Sequence, residues 1–157
     1  MHVAKDFAHM GMRLEMVRQN EIAIQPLVIA TIEEREVQRR TIGTENVLVL
    51  RNIGRGAALF VEIKDVEFAE LEGQRYVMKF DTIDYIEPGG DRRAQPNIFR
   101  GHEQTASAAY VSHLDPRYAI QSLTLNIVYE DINGQRRESA VKMGKGGIRL
   151  LRHGKVS

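Results

Sequence analysis

The segment from Val47 to Ile63 constrains the fold most strongly, because two apolar runs flank a glycine-rich break. Its sequence is VLVLRNIGRGAALFVEI. Each run is too short for an independent helix and contains the β-branched and aromatic residues that favour strands. Gly54 and Gly56 in the break permit a sharp backbone reversal or a bulge. The segment therefore predicts two strands joined by a tight connection.

Composition limits the class of protein. A chain of 157 residues, 43% of them hydrophobic, is long enough for one domain with a buried core and a short appendage. The net charge of +1 produces no field that would attract nucleic acid, so a nucleic-acid partner is not expected. The absence of cysteine excludes disulfides, thiol catalysis, iron–sulfur clusters and cysteine-ligated zinc. We expect no cofactor.

The sequence lacks the roughly 18 to 20 consecutive apolar residues needed to span a bilayer. The N-terminus also lacks the layout of a secretory signal. These features predict a soluble chain, and its cysteine-free composition fits the cytoplasm without excluding other sites.

The last part of the chain is basic, with Glu138 as its one carboxylate side chain. This charge either belongs to a solvated end or contacts phosphate, anionic lipid or an acidic partner. The cations are Arg136, Arg137, Lys142, Lys145, Arg149, Arg152 and Lys155.

The first twenty residues have the pattern of an amphipathic helix. Phe7, Met10, Leu14 and Val17 lie on one stripe at helical spacing. A helix this short is marginal alone. We expect it to pack on the domain, to pack on another chain, or to continue a helix that lies upstream.

The rest of the chain alternates in strand-like fashion, whereas Asp91–His113 shows little periodicity and is interpreted as a long connection. The charged run Glu33–Arg40 is interpreted as a turn or a solvated strand end. Strand patterns occupy Ile22–Ile32 with an interruption at Pro26, then Val47–Leu50, Ala57–Lys64 and Tyr76–Ile86.

A final hairpin is predicted down to its register. A three-residue loop, Ile132–Gly134, with Gly134 in a left-handed conformation keeps the apolar residues of both strands on one face. A two-residue loop would place those faces out of step. The chosen register pairs Leu125 with Val141, Leu123 with Met143, and Glu130 with Arg136.

Several short strands without a βαβ rhythm predict an antiparallel β-sandwich of about seven or eight strands. We expect an N-terminal helix over residues 1–20, a sandwich domain over residues 21–143 and a basic C-terminal tail over residues 144–157.

Three segments resemble immunoglobulin-like β-sandwich domains of uncharacterised bacterial and archaeal proteins. They are Leu48–Ile63 (LVLRNIGRGAALFVEI), Glu87–Gly90 (EPGG) and Leu123–Gly134 (LTLNIVYEDING). The resemblance covers roughly Pro26 to Met143. It implies an immunoglobulin-like fold in a prokaryotic protein that is cytoplasmic or membrane-associated. The membrane is included because such domains often follow membrane helices. It implies nothing about activity.

Candidate sites are few. Arg35 and Arg39 have the Arg-x-x-x-Arg spacing of the PilZ family, with Asn52 downstream, and such arginines suit the phosphates of a cyclic dinucleotide. Gly54 stands where that family has serine. His102 and His113 share a segment with acidic neighbours, which is a weak metal pattern, so we assign no metal site. No serine has the context of a nucleophile elbow, and we assign no catalytic residue.

The sequence therefore favours a non-catalytic interaction or structural module that is tethered at a membrane or free. Its expected partner is another protein or a second copy of the chain. The alternatives are a small-ligand sensor using Arg35, Arg39 and Asn52, or a self-assembling structural subunit.

Overall fold

A computed structural model describes residues 24–38, 42–70, 72–105 and 108–156. The amphipathic helix expected over residues 1–20 lies outside this range. The described residues form twelve strands and one short 3-10 helix, Ala108–His113. The strands are β1 (Val28–Gln38), β2 (Ile42–Asn52), β3 (Ala58–Ile63), β4 (Val66–Ala69), β5 (Arg75–Phe80), β6 (Ile83–Ile86), β7 (Asp91–Ala94), β8 (Pro96–Arg100), β9 (Glu103–Thr105), β10 (Ser122–Glu130), β11 (Arg136–Gly144) and β12 (Arg149–Lys155).

The strands form three antiparallel sheets. Sheet A has the order β1-β2-β7, sheet B the order β12-β11-β10-β3-β6, and sheet C the order β4-β5-β8-β9. Strand β1 packs on β10 and β11, so sheet A lies over sheet B. The phenol oxygen of Tyr129 in sheet B accepts a hydrogen bond from the backbone N–H of Val28 in sheet A (3.3 Å). The mainly β, antiparallel fold class is confirmed, with more and shorter strands than expected.

The core lies where the sheets meet. Alternate residues of β2, β10 and β11 point into it, as the period of a strand requires. Its fully buried members include Leu48, Leu50, Met78, Ile86, Ile98, Leu125, Ile127 and Met143. Burial of this apolar area is the main force that holds the sheets together.

The predicted C-terminal hairpin is confirmed. Leu125 pairs with Val141, and Gly134 has a φ of +77°. Asp131 fixes the loop, because its Oδ1 accepts hydrogen bonds from the backbone N–H groups of Asn133 and Gln135 (both 2.9 Å). The remaining two predicted pairs, Leu123 with Met143 and Glu130 with Arg136, are also present.

Two further predictions concern the bounds of strands. The charged run that begins at Glu33 is a strand end and not a turn, because it continues β1 as far as Gln38, paired with β2. The segment Tyr76–Ile86 contains two strands, β5 in sheet C and β6 in sheet B, because the chain changes sheets between Phe80 and Ile83.

Two segments without strong periodicity are also strands. Residues Asp91–His113 form β7, β8, β9 and the 3-10 helix rather than a long connection. The chain passes from sheet A to sheet C after Ala94, so no stretch is long enough to show a clear alternation of apolar and polar residues. Residues 149–155, interpreted as tail, form β12 on the edge of sheet B. Within the described residues, no helix is long and apolar enough to cross a membrane.

Candidate functional site

Asn52 ends β2 and is fully buried. Its Nδ2 donates to the carbonyl oxygens of Gly56 (2.8 Å) and Ile86 (3.1 Å). Its Oδ1 accepts from the backbone N–H groups of Leu27 (3.2 Å) and Gly54 (3.1 Å). One amide therefore joins four backbone positions, as burial of a polar group requires. This role is structural.

The glycines after Asn52 allow residues 24–27 to lie directly on the turn. The backbone N–H groups of Ile53 and Arg55 donate to the carbonyl oxygens of Leu27 (2.9 Å) and Gln25 (3.1 Å). A Cβ at Gly54 would collide with the carbonyl oxygen of Gln25. The backbone N–H groups of the glycine-rich break are therefore engaged by the chain itself and do not form a backbone cradle for phosphate.

Arg35 belongs to an ion-pair network on the outer face of sheet A. Its guanidinium lies 3.4 Å from Asp91 and 3.5 Å from Glu33. Arg51 contacts the same two carboxylates, at 3.5 Å from Asp91 and 2.8 Å from Glu33. The hydrogen bond with Glu33 raises the pKa of Arg51 above its ordinary value. Both arginines are thus already matched with carboxylates.

Of the three residues of the ligand-sensor hypothesis, the structure describes Arg35 and Asn52, and these two lie far apart. Asn52 pairs with Val28 on the inner face of sheet A. Arg35 lies seven residues further along β1, roughly 23 Å away, on the outer face. Arg39 lies outside the described residues. The cyclic-dinucleotide hypothesis stays a prediction.

His113, one of the two histidines that share a segment with acidic residues, is packed against the core. The ring of His113 contacts that of Phe68 in a tilted arrangement, with the ring centroids 4.8 Å apart, and its Nε2 lies 3.8 Å from Glu70. Burial lowers the pKa of His113, and the charge of Glu70 opposes that shift. Asp115 bonds Arg117 at 2.8 Å, which lowers the pKa of Asp115. The described residues contain no group of three or more side chains that could hold a metal ion.

The least expected feature of the described structure is Phe60 in β3. It has a φ of +51°, the only positive value at a non-glycine residue there. The pairing of β3 with β10 shifts register at this point, between Val128 and Glu130. A left-handed conformation costs a bulky residue about 1–2 kcal/mol. The side chain is nevertheless 59% exposed. Strain and exposure together mark Phe60 as a candidate contact residue.

Phe60 lies in an aromatic patch on the outer face of sheet B. Tyr85 on β6 is 43% exposed and pairs with Leu59, the neighbour of Phe60. A hollow of about 150 Å³ beside the ring is lined by Phe60, Glu62, Val128, Tyr129, Glu130 and Arg136. This patch was not predicted from the sequence, although Phe60 shares the parity of the charged Glu62 and not that of Val61 and Ile63.

Comparison with known proteins gives one match. A family model described as a domain of unknown function (DUF8453) matches residues 3–143. Neither a curated protein nor a solved structure matches the chain. Because the family model covers most of the sequence, this chain belongs to the DUF8453 family.

Proposed function

We propose that this chain is a non-catalytic interaction module that binds a second copy of itself through the outer face of sheet B. The observation that carries the proposal is Phe60, an aromatic ring held in water by a strained backbone. Exposed aromatic side chains surrounded by polar residues are the usual anchors of protein interfaces. A partner that covers the ring recovers its burial energy.

Charge favours a second copy as the partner. Near Phe60 the face carries the carboxylates of Glu62 and Glu130, each beside a cation, Lys64 and Arg136 respectively. The opposite half, on β11 and β12, carries Lys142 and Arg149 beside the single carboxylate of Glu138, while Arg152 donates to Oδ1 of Asn126. A two-fold axis through the face places the excess positive charge of this half against Glu62 and Glu130 of the other copy.

Strand order supports an immunoglobulin-like topology as part of the proposal. Strands β1, β2 and β7 form one sheet in the order of strands A, B and E of that fold. Strands β11, β10, β3 and β6 follow the order G, F, C and C′. On this assignment the proposed contact surface is the G-F-C-C′ face.

Sedimentation velocity of the full chain over a range of concentrations tests the proposal. We expect a reversible dimer that weakens as salt rises to about 0.5 M. Phe60→Gly should weaken it at least about thirtyfold, as expected for an aromatic anchor. Tyr118→Ala is the matched control, because Tyr118 is 63% exposed and has no positive φ. It should leave the dimer unchanged.

A charge exchange tests the arrangement of the two copies. Glu62→Arg and Arg149→Glu should each weaken the dimer, and the double variant should restore it. A chain that stays monomeric at every concentration would overturn the proposal. So would a dimer that Phe60→Gly leaves intact.

A further inference from the structure

A second surface, which shares only Tyr129 with the lining of the hollow beside Phe60, has the chemistry of a ligand site. It is a cleft of about 380 Å³ at the edge where sheet B extends beyond sheet A. Strand β1 covers β10 and β11, whereas β12 continues past it. The cleft is lined by residues 25–27, by Gly54 and Arg55 of the turn after β2, and by Tyr129, Arg137, His153 and Gly154 of sheet B. Its volume lies at the lower end of small-molecule pockets.

Arg137 is the central group of this cleft. Its side chain is 8% exposed, and its Nε donates to Oδ2 of the equally buried Asp131 at 3.0 Å. No hydrogen bond to a described residue engages its Nη1 or Nη2. No buried side-chain nitrogen or oxygen of the described residues lacks a partner, so these Nη atoms reach the solvent of the cleft. Asp131 therefore fixes the guanidinium of Arg137 through Nε, while the fork formed by Nη1 and Nη2 is open to a ligand.

A smaller hollow of about 120 Å³ continues the cleft on the other side of Arg137. Arg137 and Gln25 line both spaces. Lys155 lines the smaller one and is the direct neighbour of Arg137 across β11 and β12. Arg137 is thus accessible from two connected spaces.

The charge of the combined cleft is positive. The lining contains one carboxylate, Asp131, and three cationic side chains, those of Arg55, Arg137 and Lys155. No ion pair within the described residues involves Arg55 or Lys155. An unpaired excess of two positive charges around an open arginine fork matches a dianion with several acceptor oxygens. A phosphate monoester has that charge and geometry near pH 7.

We infer that this cleft binds a phosphate monoester with a small apolar body. The fork of Arg137 would bind two phosphate oxygens, and Lys155 and Arg55 would supply the remaining charge. The rings of Pro26 and Tyr129 and the side chain of Leu27 provide an apolar wall for the rest of the ligand. The site shares no residue with the proposed cyclic-dinucleotide set and does not depend on self-association.

Calorimetric titration of the full chain with phenyl phosphate tests this inference. We expect saturable binding that is tighter than that of inorganic phosphate, since the phenyl ring gains the apolar wall. Phenyl sulfate, a monoanion, should bind more weakly. Lys155→Gln and Arg55→Gln should each weaken phenyl phosphate binding about tenfold, because each removes one charge-assisted contact.

Arg152→Gln is the matched control, because Arg152 lies on β12 opposite Ala140 and does not line the cleft. It should leave binding unchanged. Arg137→Lys keeps the charge but loses the fork, so it should weaken phenyl phosphate binding more than Lys155→Gln does. We expect its unfolding midpoint to equal that of the wild type. If it fails to fold, the two exposed variants still decide the question.

Vesicles that contain phosphatidic acid distinguish the source of the phosphate. Binding to vesicles alone, weakened by Lys155→Gln but not by Arg152→Gln, would assign a lipid headgroup to the same cleft. Absence of saturable binding to phenyl phosphate and vesicles up to about 10 mM would overturn the inference. Equal losses in Lys155→Gln and Arg152→Gln would also overturn it, because they would indicate general attraction to a basic strand.

Discussion

Asn52 and Phe60 lie within the same short stretch of chain and differ in polarity, in burial and in backbone strain. Asn52 is polar, buried and bonded to four backbone groups. Phe60 is apolar, exposed and strained in its backbone. The usual expectation for an amide and an aromatic ring is thus reversed at both positions. The first residue stabilises the fold, and the second lowers the stability of the isolated chain.

The difference separates a region in which the chain satisfies its own groups from the surface on which a partner is proposed to bind. Around Asn52 the donors and acceptors of the amide are all satisfied by the chain itself, so a ligand has nothing to bind there. Around Phe60 the chain carries an unfavourable conformation and an uncovered ring, and both would be offset by a bound surface. Burial and satisfaction identify a structural residue, whereas strain and exposure identify a contact residue.

The largest expected effect is that of Asn52→Ala. It leaves the backbone donors of Leu27 and Gly54 and the acceptors of Gly56 and Ile86 without partners, so we expect a loss of about 3–5 kcal/mol in the free energy of unfolding. Denaturant unfolding measures this loss.

Asn52→Asp sharpens the test, since it retains the accepting oxygen but cannot donate to the two carbonyl groups. It should be about as destabilising as Asn52→Ala. Asn97→Ala, at a partly exposed site on β8, is the control and should change little. A loss below about 1 kcal/mol in Asn52→Ala would break the contrast drawn with Phe60.

A smaller effect is expected for Phe60→Gly, because this change relieves backbone strain and removes no hydrogen bond of the side chain. Glycine adopts the positive φ without strain, which offsets its greater entropy in the unfolded chain. The free energy of unfolding of the monomer should therefore stay within about 1 kcal/mol of the wild-type value. Thermal unfolding at a concentration below dimer formation measures it. A large loss would show that Phe60 is a core residue, and the comparison with Asn52 would fail.

The smallest effect concerns His113, whose partly buried side chain packs on Phe68. Burial lowers its pKa below the ordinary value of 6.5, so the unfolded chain binds the proton more readily. The stability that this group contributes is present above pH 6.5 and is lost as the pH falls from there through the lowered pKa.

His113→Gln should reduce the slope of unfolding free energy against pH below 6.5 and leave it unchanged at higher pH, where the imidazole is neutral. Chemical denaturation across that range measures both slopes. Identical slopes for the two proteins below pH 6.5 would show that His113 does not contribute.

Local sequence patterns were sufficient to predict the mainly β, antiparallel class and the register of the C-terminal hairpin. Alternation and turn chemistry are local properties, and Leu125, Val141 and Gly134 carry them within one short segment. The sequence also indicated strands on both sides of the glycine-rich break, although it did not predict why the asparagine there is buried.

The remaining features depend on tertiary contacts, because these contacts join residues that are far apart in the chain. Asn52 acquires its role from Ile86 and Leu27, and Arg137 acquires its open cleft from residues 25–27. The strained conformation of Phe60 follows from a register shift against β10. Strand β12 lacks a clean alternation and forms because the edge of β11 supplies its hydrogen bonds. Local pattern fixes what a segment can become, and neighbours distant in sequence decide which of its groups are satisfied and which are left open.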